Sequence, residues 1–171
     1  MSDPAAPAAE LLARLCTAWS TLALADIEAL WDAGEALPIM LPQELERPLV
    51  GWEELRLYWT KAAVRLEAAS MRTRDLIVHP IADNLALVVY VMHWNGAIRG
   101  FVRPIGVEAR VSAVIRDTPR GWRFIHYAEA PLSFSLQLQQ RNALQADADF
   151  IARTGHDPDV LRPIWPDGTP L

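Results

Sequence analysis

Apolar residues recur at three- and four-residue spacing in the first part of the chain. The clearest stripe runs from about Ala9 to Leu24 and consists of Leu11, Leu12, Leu15, Trp19 and Leu22. Such spacing places the side chains on one face of an amphipathic helix. The pattern therefore predicts a first helix, preceded by a frayed arm over residues 1–8.

Two further helices and a short strand follow. Asp26 is placed to cap a short helix that Gly34 would end. A longer helix begins near Gly51, in the stretch GWEELRLYWTKAAVRLEAAS. Between these two helices, ALPIMLP is an extended run with a proline near each end, which is typical of an edge strand or of a strand mouth, where no ladder donor is needed.

Strand-forming residues dominate after the third helix. Predicted strands cover RDLIVHPI, LALVVYVMHW, IGVEARVSAVIR and a last segment from Trp122 to Glu129. The pair Asn95-Gly96 predicts a turn after the second of these, because Asn-Gly is a strong hairpin signal. Helices followed by antiparallel strands predict an α+β domain, with helices packed on one face of a curved sheet.

The chain after Pro131 has a different composition. LSFSLQLQQRNALQADADFIARTG predicts a helix that ends at Gly155, and the tail that follows is rich in proline. We therefore divide the chain into an arm over residues 1–8, one domain over residues 9–131 and a C-terminal extension over residues 132–171.

Composition narrows the range of partners. Of the 171 residues, 51% are hydrophobic, and the net charge is −5. The basic residues are scattered, which argues against nucleic-acid binding. The sequence has neither a signal peptide nor an apolar run long enough to span a membrane, so we expect a cytoplasmic protein. A single cysteine, Cys16, rules out an internal disulfide.

Three proton-handling side chains gather at the end of the last predicted strand, in the stretch GWRFIHYAEAP. They are His126, Tyr127 and Glu129. Alternation puts His126 and Glu129 on opposite faces, so they share a face only if the strand is bulged. A carboxyl group in an apolar cavity has a raised pKa and can act as a general acid or base near neutral pH. The alternatives are structural roles: an ion pair or helix cap for Glu129, and a backbone or interface contact for His126.

Other candidate binding residues come from the neighbouring elements. In IGVEARVSAVIR, Arg110 and Ser112 share the polar face of the strand. If that face is concave, Arg110 could bind an anion; otherwise it forms an ion pair or faces solvent. His93 could face the cavity from the next strand, and Trp19, Tyr58 and Trp59 could roof it. The histidines lack metal-ligand spacing, so we expect no metal.

Element order and short motifs resemble the nuclear transport factor 2-like superfamily, especially the SnoaL-like polyketide cyclases and the association domain of calmodulin-dependent protein kinase. The matches in the last strand are Trp122, Ile125, His126 and Tyr127. Ala128 and Ala130 stand where those families have a second histidine and a serine. The other matches are Arg110-Val111-Ser112 and RPLVGWEELRLYW with Gly51, and the resemblance covers roughly Leu11 to Pro131.

The resemblance implies a cone-shaped fold with an apolar small-molecule pocket. Family enzymes use it for isomerisation, cyclisation and dehydration without a cofactor, while other members bind ligands or assemble into oligomers. For an enzyme, Glu129 or His126 would move a proton on a small hydrophobic carbonyl or hydroxyl compound, which can carry an anionic group. Arg110 with Tyr58 or Tyr127 would stabilise the oxyanion. The alternative is a non-catalytic binding or assembly module, which the alanines at positions 128 and 130 favour.

Both faces of the predicted strands carry apolar side chains. Helices can cover one face, and an exposed apolar face of this size is unusual in a monomer. We therefore expect a homodimer that pairs sheet against sheet. The segment from Leu132 onward would cover the partner or close the mouth of its own cone.

Overall fold

Helices from the first part of the chain lie against one face of a curved, open, six-stranded sheet. The computed structural model describes residues 3–131 and 147–154. Its helices are α1 (Ala5–Thr21), α2 (Leu24–Ala29), α3 (Trp52–Arg65) and α4 (Ala148–Thr154). Its strands are β1 (Ile39–Leu41), β2 (Leu49–Val50), β3 (Leu66–Ala82), β4 (Leu85–Ile98), β5 (Ile105–Arg116) and β6 (Arg123–Pro131).

The sheet has the order β2-β1-β6-β5-β4-β3. β1 and β6 run parallel, and the other neighbours are antiparallel. Helices packed on a mostly antiparallel sheet confirm the predicted α+β class. β1 is a strand as predicted, but it lies between β2 and β6 and is therefore not an edge.

Alternation along β4 and β5 fixes the face that the helices cover. The buried residues of these strands include Val88, Tyr90, Met92, Ala109, Val111, Ala113 and Ile115. Leu11, Leu12 and Leu15 of α1 belong to the same core cluster. We call this side of the sheet the inner face and the opposite side the outer face. The apolar row of β5 faces inward, so Arg110 and Ser112 lie on the outer face and not inside the cone.

One extra residue in β6 decides which of its side chains point inward. Val114 pairs with His126, and Ile115 pairs with Phe124, so Ile125 has no partner of its own. A bulge of this kind shifts the alternation by one residue. Beyond the bulge, Tyr127 and Glu129 share the inner face with Phe124, while His126 lies on the outer face.

Several predicted boundaries differ from the structure. α1 begins at Ala5, so the predicted arm over residues 1–8 is too long. Pro7 lies in the first turn, where a helix does not use the backbone N–H. α2 has Ala23 in the cap position and Asp26 within its first turn. Residues 66–70 begin β3 instead of extending α3.

β4 continues through the Asn-Gly pair for which a turn was predicted. Asn95 pairs with Ser70 and Gly106, and its side chain is 1% exposed. The Asn95 amide donates to Ser70 Oγ at 3.0 Å and to Asp147 Oδ2 at 3.2 Å. Trp94 folds over Gly96, where an added Cβ would lie 2.1 Å from its ring. Tertiary contacts therefore override the local turn signal.

α4 is the described part of the C-terminal extension. Its Phe150 packs against Ala97 and Ala68. The rest of the predicted C-terminal helix and the proline-rich tail lie outside the described residues. Among residues 3–131 and 147–154, no helix combines the length and apolar character that crossing a membrane requires.

Candidate functional site

Tyr127 and Glu129 lie on the inner face near the open end of the β5–β6 pair. Glu129 is in register with Val111, and Tyr127 is in register with Ala113. Tyr127 is buried and Glu129 is half-buried. The ladder ends two residues beyond Glu129, where Pro131 pairs with Ala109. The carboxyl group therefore stands where the apolar inner face meets the end of the sheet.

Each carboxyl oxygen of Glu129 accepts a hydrogen bond. The Tyr127 hydroxyl donates to Oε1 at 3.1 Å, and the Gln43 backbone N–H donates to Oε2 at 3.2 Å. Gln43 follows β1, whose Leu41 pairs with Ala128 of β6, so the strand pairing positions this donor. A carboxylate oxygen can accept a second bond, so the group retains capacity for a ligand.

Burial raises the pKa of the Glu129 carboxyl to about 7. The hydrogen bond from Gln43 opposes this rise, the negative charge of Glu44 adds to it, and the bond from Tyr127 opposes it. Within the part of the chain that the structure describes, the charge acting on Glu129 is thus another carboxylate. With a pKa near 7, both the acid and the base form are available at neutral pH.

A second tyrosine–carboxyl pair flanks the first. Tyr58 of α3 donates its hydroxyl hydrogen to Glu44 Oε1 at 2.6 Å. Burial raises the pKa of Tyr58 well above its ordinary value, and the charges of Glu44 and Glu129 act in the same direction. The Tyr58 hydroxyl therefore stays protonated, with its one proton directed at Glu44 beside the β6 carboxyl.

Tyr127 extends from β6 across β5 to β4. Its hydroxyl lies 3.6 Å from Met92 Sδ of β4. The intervening β5 residues Ala109 and Ala113 are buried and small, which leaves room for the ring. Tyr90 precedes Met92 on the same face, and the Tyr90 and Tyr127 hydroxyls are neighbours that fall outside hydrogen-bond geometry.

Four of the predicted site residues lie on the outer face. Arg110 and Ser112 are exposed, and the Arg110 guanidinium donates to the Pro131 carbonyl at 3.3 Å. His126 is half-buried there, and burial lowers its pKa. His93 is buried, with Nε2 at 3.2 Å from Asn95 Oδ1. These four side chains are separated from Glu129 by the sheet, which corrects the expectation that they line the cone.

The two predicted tryptophans lie on the helix side of the sheet. Trp59 is buried against Trp31, with ring centroids 5.9 Å apart. Trp19 is half-buried and packs against the same core cluster. Both tryptophans contribute to the packing of the inner face. In the described ranges, no group of three or more His, Cys, Asp or Glu side chains is arranged to hold a metal ion.

Sequence reasoning missed Gln43, Glu44 and Tyr90. Gln43 acts through its backbone, so its side chain carries no signal. Glu44 lies in the loop between β1 and β2, far along the chain from Glu129. Tyr90 lies in an apolar strand, where it resembles any other core residue. The alternation of Val88, Tyr90 and Met92 in the sequence indicates that Tyr90 shares one face of its strand with these two apolar residues.

Known proteins match the chain in fold rather than in sequence. No protein-family model matches the chain, and no curated protein does. A nuclear transport factor 2-like superfamily protein from Salmonella enterica serovar Typhimurium is 16% identical, with a TM-score of 0.63 over 72% of this chain and 87% of that chain. A ketosteroid isomerase-like protein from Erwinia carotovora atroseptica is 12% identical, with a TM-score of 0.63 over 78% of this chain and 99% of that chain. A candidate scytalone dehydratase from Novosphingobium aromaticivorans is 8% identical, with a TM-score of 0.67 over 74% of this chain and 83% of that chain.

Proposed function

Because the chain has the nuclear transport factor 2-like fold, we propose that it is a cofactor-independent isomerase, cyclase or dehydratase in which Glu129 transfers the proton. The observation that carries the proposal is the Glu129 carboxyl, which has a pKa of about 7 at the end of an apolar face. Isomerase-like and dehydratase-like proteins among the similar structures agree with this chemistry.

The reaction would use both protonation states of Glu129. In an isomerisation, the carboxylate removes a proton from the carbon beside a carbonyl group and returns it to another carbon, so the carboxyl group is regenerated unchanged. In a dehydration, it removes that proton and then delivers it to the leaving hydroxyl group, which departs as water and leaves the carboxylate regenerated. Tyr58 and Tyr127 have raised pKa values and keep their protons. Either hydroxyl can stabilise the developing oxyanion if it turns its single proton away from its carboxyl partner, as Tyr127 is free to do once Glu129 is protonated.

The ligand class follows from the charges beside Glu129. Glu44 raises the pKa of Glu129 through its negative charge, and Arg110 lies on the other side of the sheet. An anionic group would therefore be repelled at this site. We propose an uncharged hydrophobic carbonyl or hydroxyl compound as the substrate, in place of the anionic ligand that Arg110 would have favoured.

Two probe reactions test the proposal. The first is the ring opening of 5-nitrobenzisoxazole, in which a base removes the ring C–H proton while the N–O bond breaks and a coloured phenolate forms. The second is the isomerisation of a β,γ-unsaturated ketone to its conjugated form. We expect the rate with the wild-type protein to rise with pH through about 7, since the base acts when it is ionised.

Glu129→Gln should lower kcat/KM for these probes by at least about 100-fold, the usual contribution of a general base. The matched control is Glu44→Gln, which removes the neighbouring carboxylate and should retain most of the turnover. Equal rates for wild type and Glu129→Gln would refute the proposal. A wild-type protein that binds the probes without accelerating either reaction would favour the non-catalytic module.

We also propose that the outer face pairs two copies of the chain. Ile77 is 63% exposed on this face, and its row continues through Val89, Ser112 and Ala128. Small and apolar side chains of this kind suit a self-complementary contact between two sheets. Sedimentation should show a dimer at micromolar concentration that Ile77→Lys dissociates. Leu57→Lys on the surface of α3 should leave it intact, and a wild-type monomer would overturn the proposal.

A further inference from the structure

Within residues 3–131 and 147–154, the Tyr90 hydroxyl is a buried polar group without a hydrogen bond of standard geometry. Tyr90 is 1% exposed, and its oxygen has no partner among the described residues. Buried hydroxyl groups nearly always have a partner, because an unpaired one loses its bonds to water without compensation. Its position beside the candidate site therefore needs an explanation.

The strand register places Tyr90 level with Glu129. Tyr90 pairs with Val111 of β5, and Val111 pairs with Glu129 of β6. The Tyr127 side chain of β6 reaches across β5 to β4. Its hydroxyl lies 3.1 Å from Glu129 Oε1 of β6 and 3.6 Å from Met92 Sδ of β4. The Tyr90 and Tyr127 hydroxyls are neighbours, so the Tyr127 hydroxyl connects Tyr90 to Glu129.

The Tyr127 hydroxyl has a single proton and two acceptors within reach. That proton can point to Glu129 Oε1 or to the Met92 sulfur, which is the weaker acceptor. A donor directed at the Tyr127 oxygen would polarise its O–H group and strengthen the bond that it donates. Tyr90 is the buried neighbour with a proton not otherwise used.

We infer that Tyr90 is a positioning residue that acts on Glu129 through Tyr127. When Glu129 is ionised, Tyr90 donates to the Tyr127 oxygen, and Tyr127 donates to Glu129 Oε1. This chain of donors stabilises the carboxylate at the step in which it must be ready to accept a proton. The inference rests on the proposed function, because it assigns Tyr90 to the same proton-transfer group.

The other titratable groups that interact electrostatically with Tyr90, Tyr127 or Glu129 come from three elements. Cys16 of α1 acts on Tyr90, Tyr58 of α3 lies within reach of the Glu129 charge, and Glu44 of the β1–β2 loop acts on Glu129 itself. None of these side chains changes in the test below, so they form a constant background for the titration.

The test follows the Glu129 carboxyl carbon by NMR during a pH titration of the 13C-labelled protein. Its signal is assigned by its absence from Glu129→Gln. Tyr127→Phe removes one donor and should raise the Glu129 pKa by about one unit. Tyr90→Phe should raise it by a few tenths of a unit, the size expected for strengthening a neighbouring bond. In the Tyr127→Phe background, Tyr90→Phe should add nothing.

Met92→Leu provides a control of opposite sign. It removes the competing acceptor and should lower the Glu129 pKa slightly, which also gives a readout if Tyr127→Phe does not fold. An unchanged Glu129 pKa in Tyr90→Phe would overturn the inference. A shift of equal size in the Tyr127→Phe background would also overturn it, because Tyr90 would then act without Tyr127.

The titration needs no substrate and is therefore independent of turnover. If Tyr90→Phe shifts the Glu129 pKa while Glu129→Gln keeps full activity, the hydrogen-bond chain exists and the proposed catalytic role is wrong. If Glu129→Gln loses activity and Tyr90→Phe leaves the pKa unchanged, Glu129 is the base and Tyr90 is an ordinary core residue.

Discussion

The two ends of the β5–β6 pair hold carboxyl groups in opposite electrostatic settings. At the hairpin end, Arg116 donates to Asp32 Oδ2 at 2.8 Å and to Glu35 Oε2 at 3.0 Å. Burial alone would raise the pKa of Asp32, but bonds from the Gly34 N–H and from Arg116 hold it below its ordinary value. At the open end, Glu129 has a tyrosine and a backbone donor, and its pKa is about 7.

The difference shows that a neighbouring cation determines whether the pKa of a carboxyl group on this sheet is lowered or raised. Asp32 with its arginine is a fixed anion that ties the loop after α2 to β5. Glu129 has Glu44 as its charged neighbour and can change protonation state near neutral pH. A group held in this way lowers the stability of the fold and gains reactivity, a combination that is typical of functional sites.

Removing the cation at the hairpin end should have the largest effect on stability. Arg116→Ala leaves Asp32 and Glu35 as neighbouring anions without their shared partner. We expect the free energy of unfolding to fall by about 2 kcal/mol at neutral pH. This is less than the loss for a fully buried ion pair, because Arg116 is partly exposed to solvent. Urea unfolding measures this, with exposed Arg110→Ala as the control. Equal stability of the two variants would show that Asp32 needs no cation.

Glu129→Gln should have the opposite effect at high pH. The folded-state pKa of Glu129 is raised above the unfolded value, so its contribution to stability is present at low pH and is lost as the pH rises through about 7. We expect the variant to be more stable than wild type by about 1 to 2 kcal/mol near pH 8, with no such gain near pH 4. Urea titrations at both values check this. A loss of stability at both would contradict it.

Asp32→Asn should sharpen the contrast, because its pH dependence has the other sign. The folded-state pKa of Asp32 is lowered, so the stability it contributes is present above the unfolded value and is lost as the pH falls through the folded one. We expect the variant to lose about 1 kcal/mol at neutral pH, the worth of one hydrogen bond. The difference from wild type should shrink in acid, and a constant difference would refute this account.

His126→Gln should have the smallest effect. Burial lowers the pKa of His126 in the folded protein. In the unfolded chain this pKa is about 6.5, so the free energy of unfolding decreases as the pH falls below about 6.5. The variant should resist mild acid slightly better than wild type, as thermal unfolding near pH 5 would show. Turnover of the probes should not change, because His126 lies on the outer face. A large loss of turnover would return His126 to the site.

Local patterns predicted the fold well where a long apolar row decided the outcome. The stretch IGVEARVSAVIR corresponds to β5 at both ends because its alternation is unbroken. Alternation also placed Tyr127 and Glu129 on one face, since they are two residues apart. The turn at Asn95 was predicted wrongly because its buried side-chain contacts come from distant residues.

The remaining parts of the site depend on contacts that no local pattern encodes. Ile125 is an ordinary strand residue, and the bulge there follows from its pairing with β5. The donor at Gln43 is a backbone N–H, placed by the pairing of β1 with β6. Tyr58 and Glu44 come from a helix and a loop, so their proximity to Glu129 is a property of the folded chain.

The bulge at Ile125 determines which face of the sheet each later side chain of β6 occupies. Side chains alternate with a period of two, so one residue gained or lost in the strand exchanges every side chain beyond it between the faces. Without Ile125, the side chains of His126 and Ala128 would lie on the inner face, and those of Tyr127 and Glu129 would lie on the outer face. A single-codon deletion or insertion could therefore replace the chemistry of the interior without substituting any amino acid. In β6 of this chain, a change of one residue in length is thus as relevant to the site as a substitution.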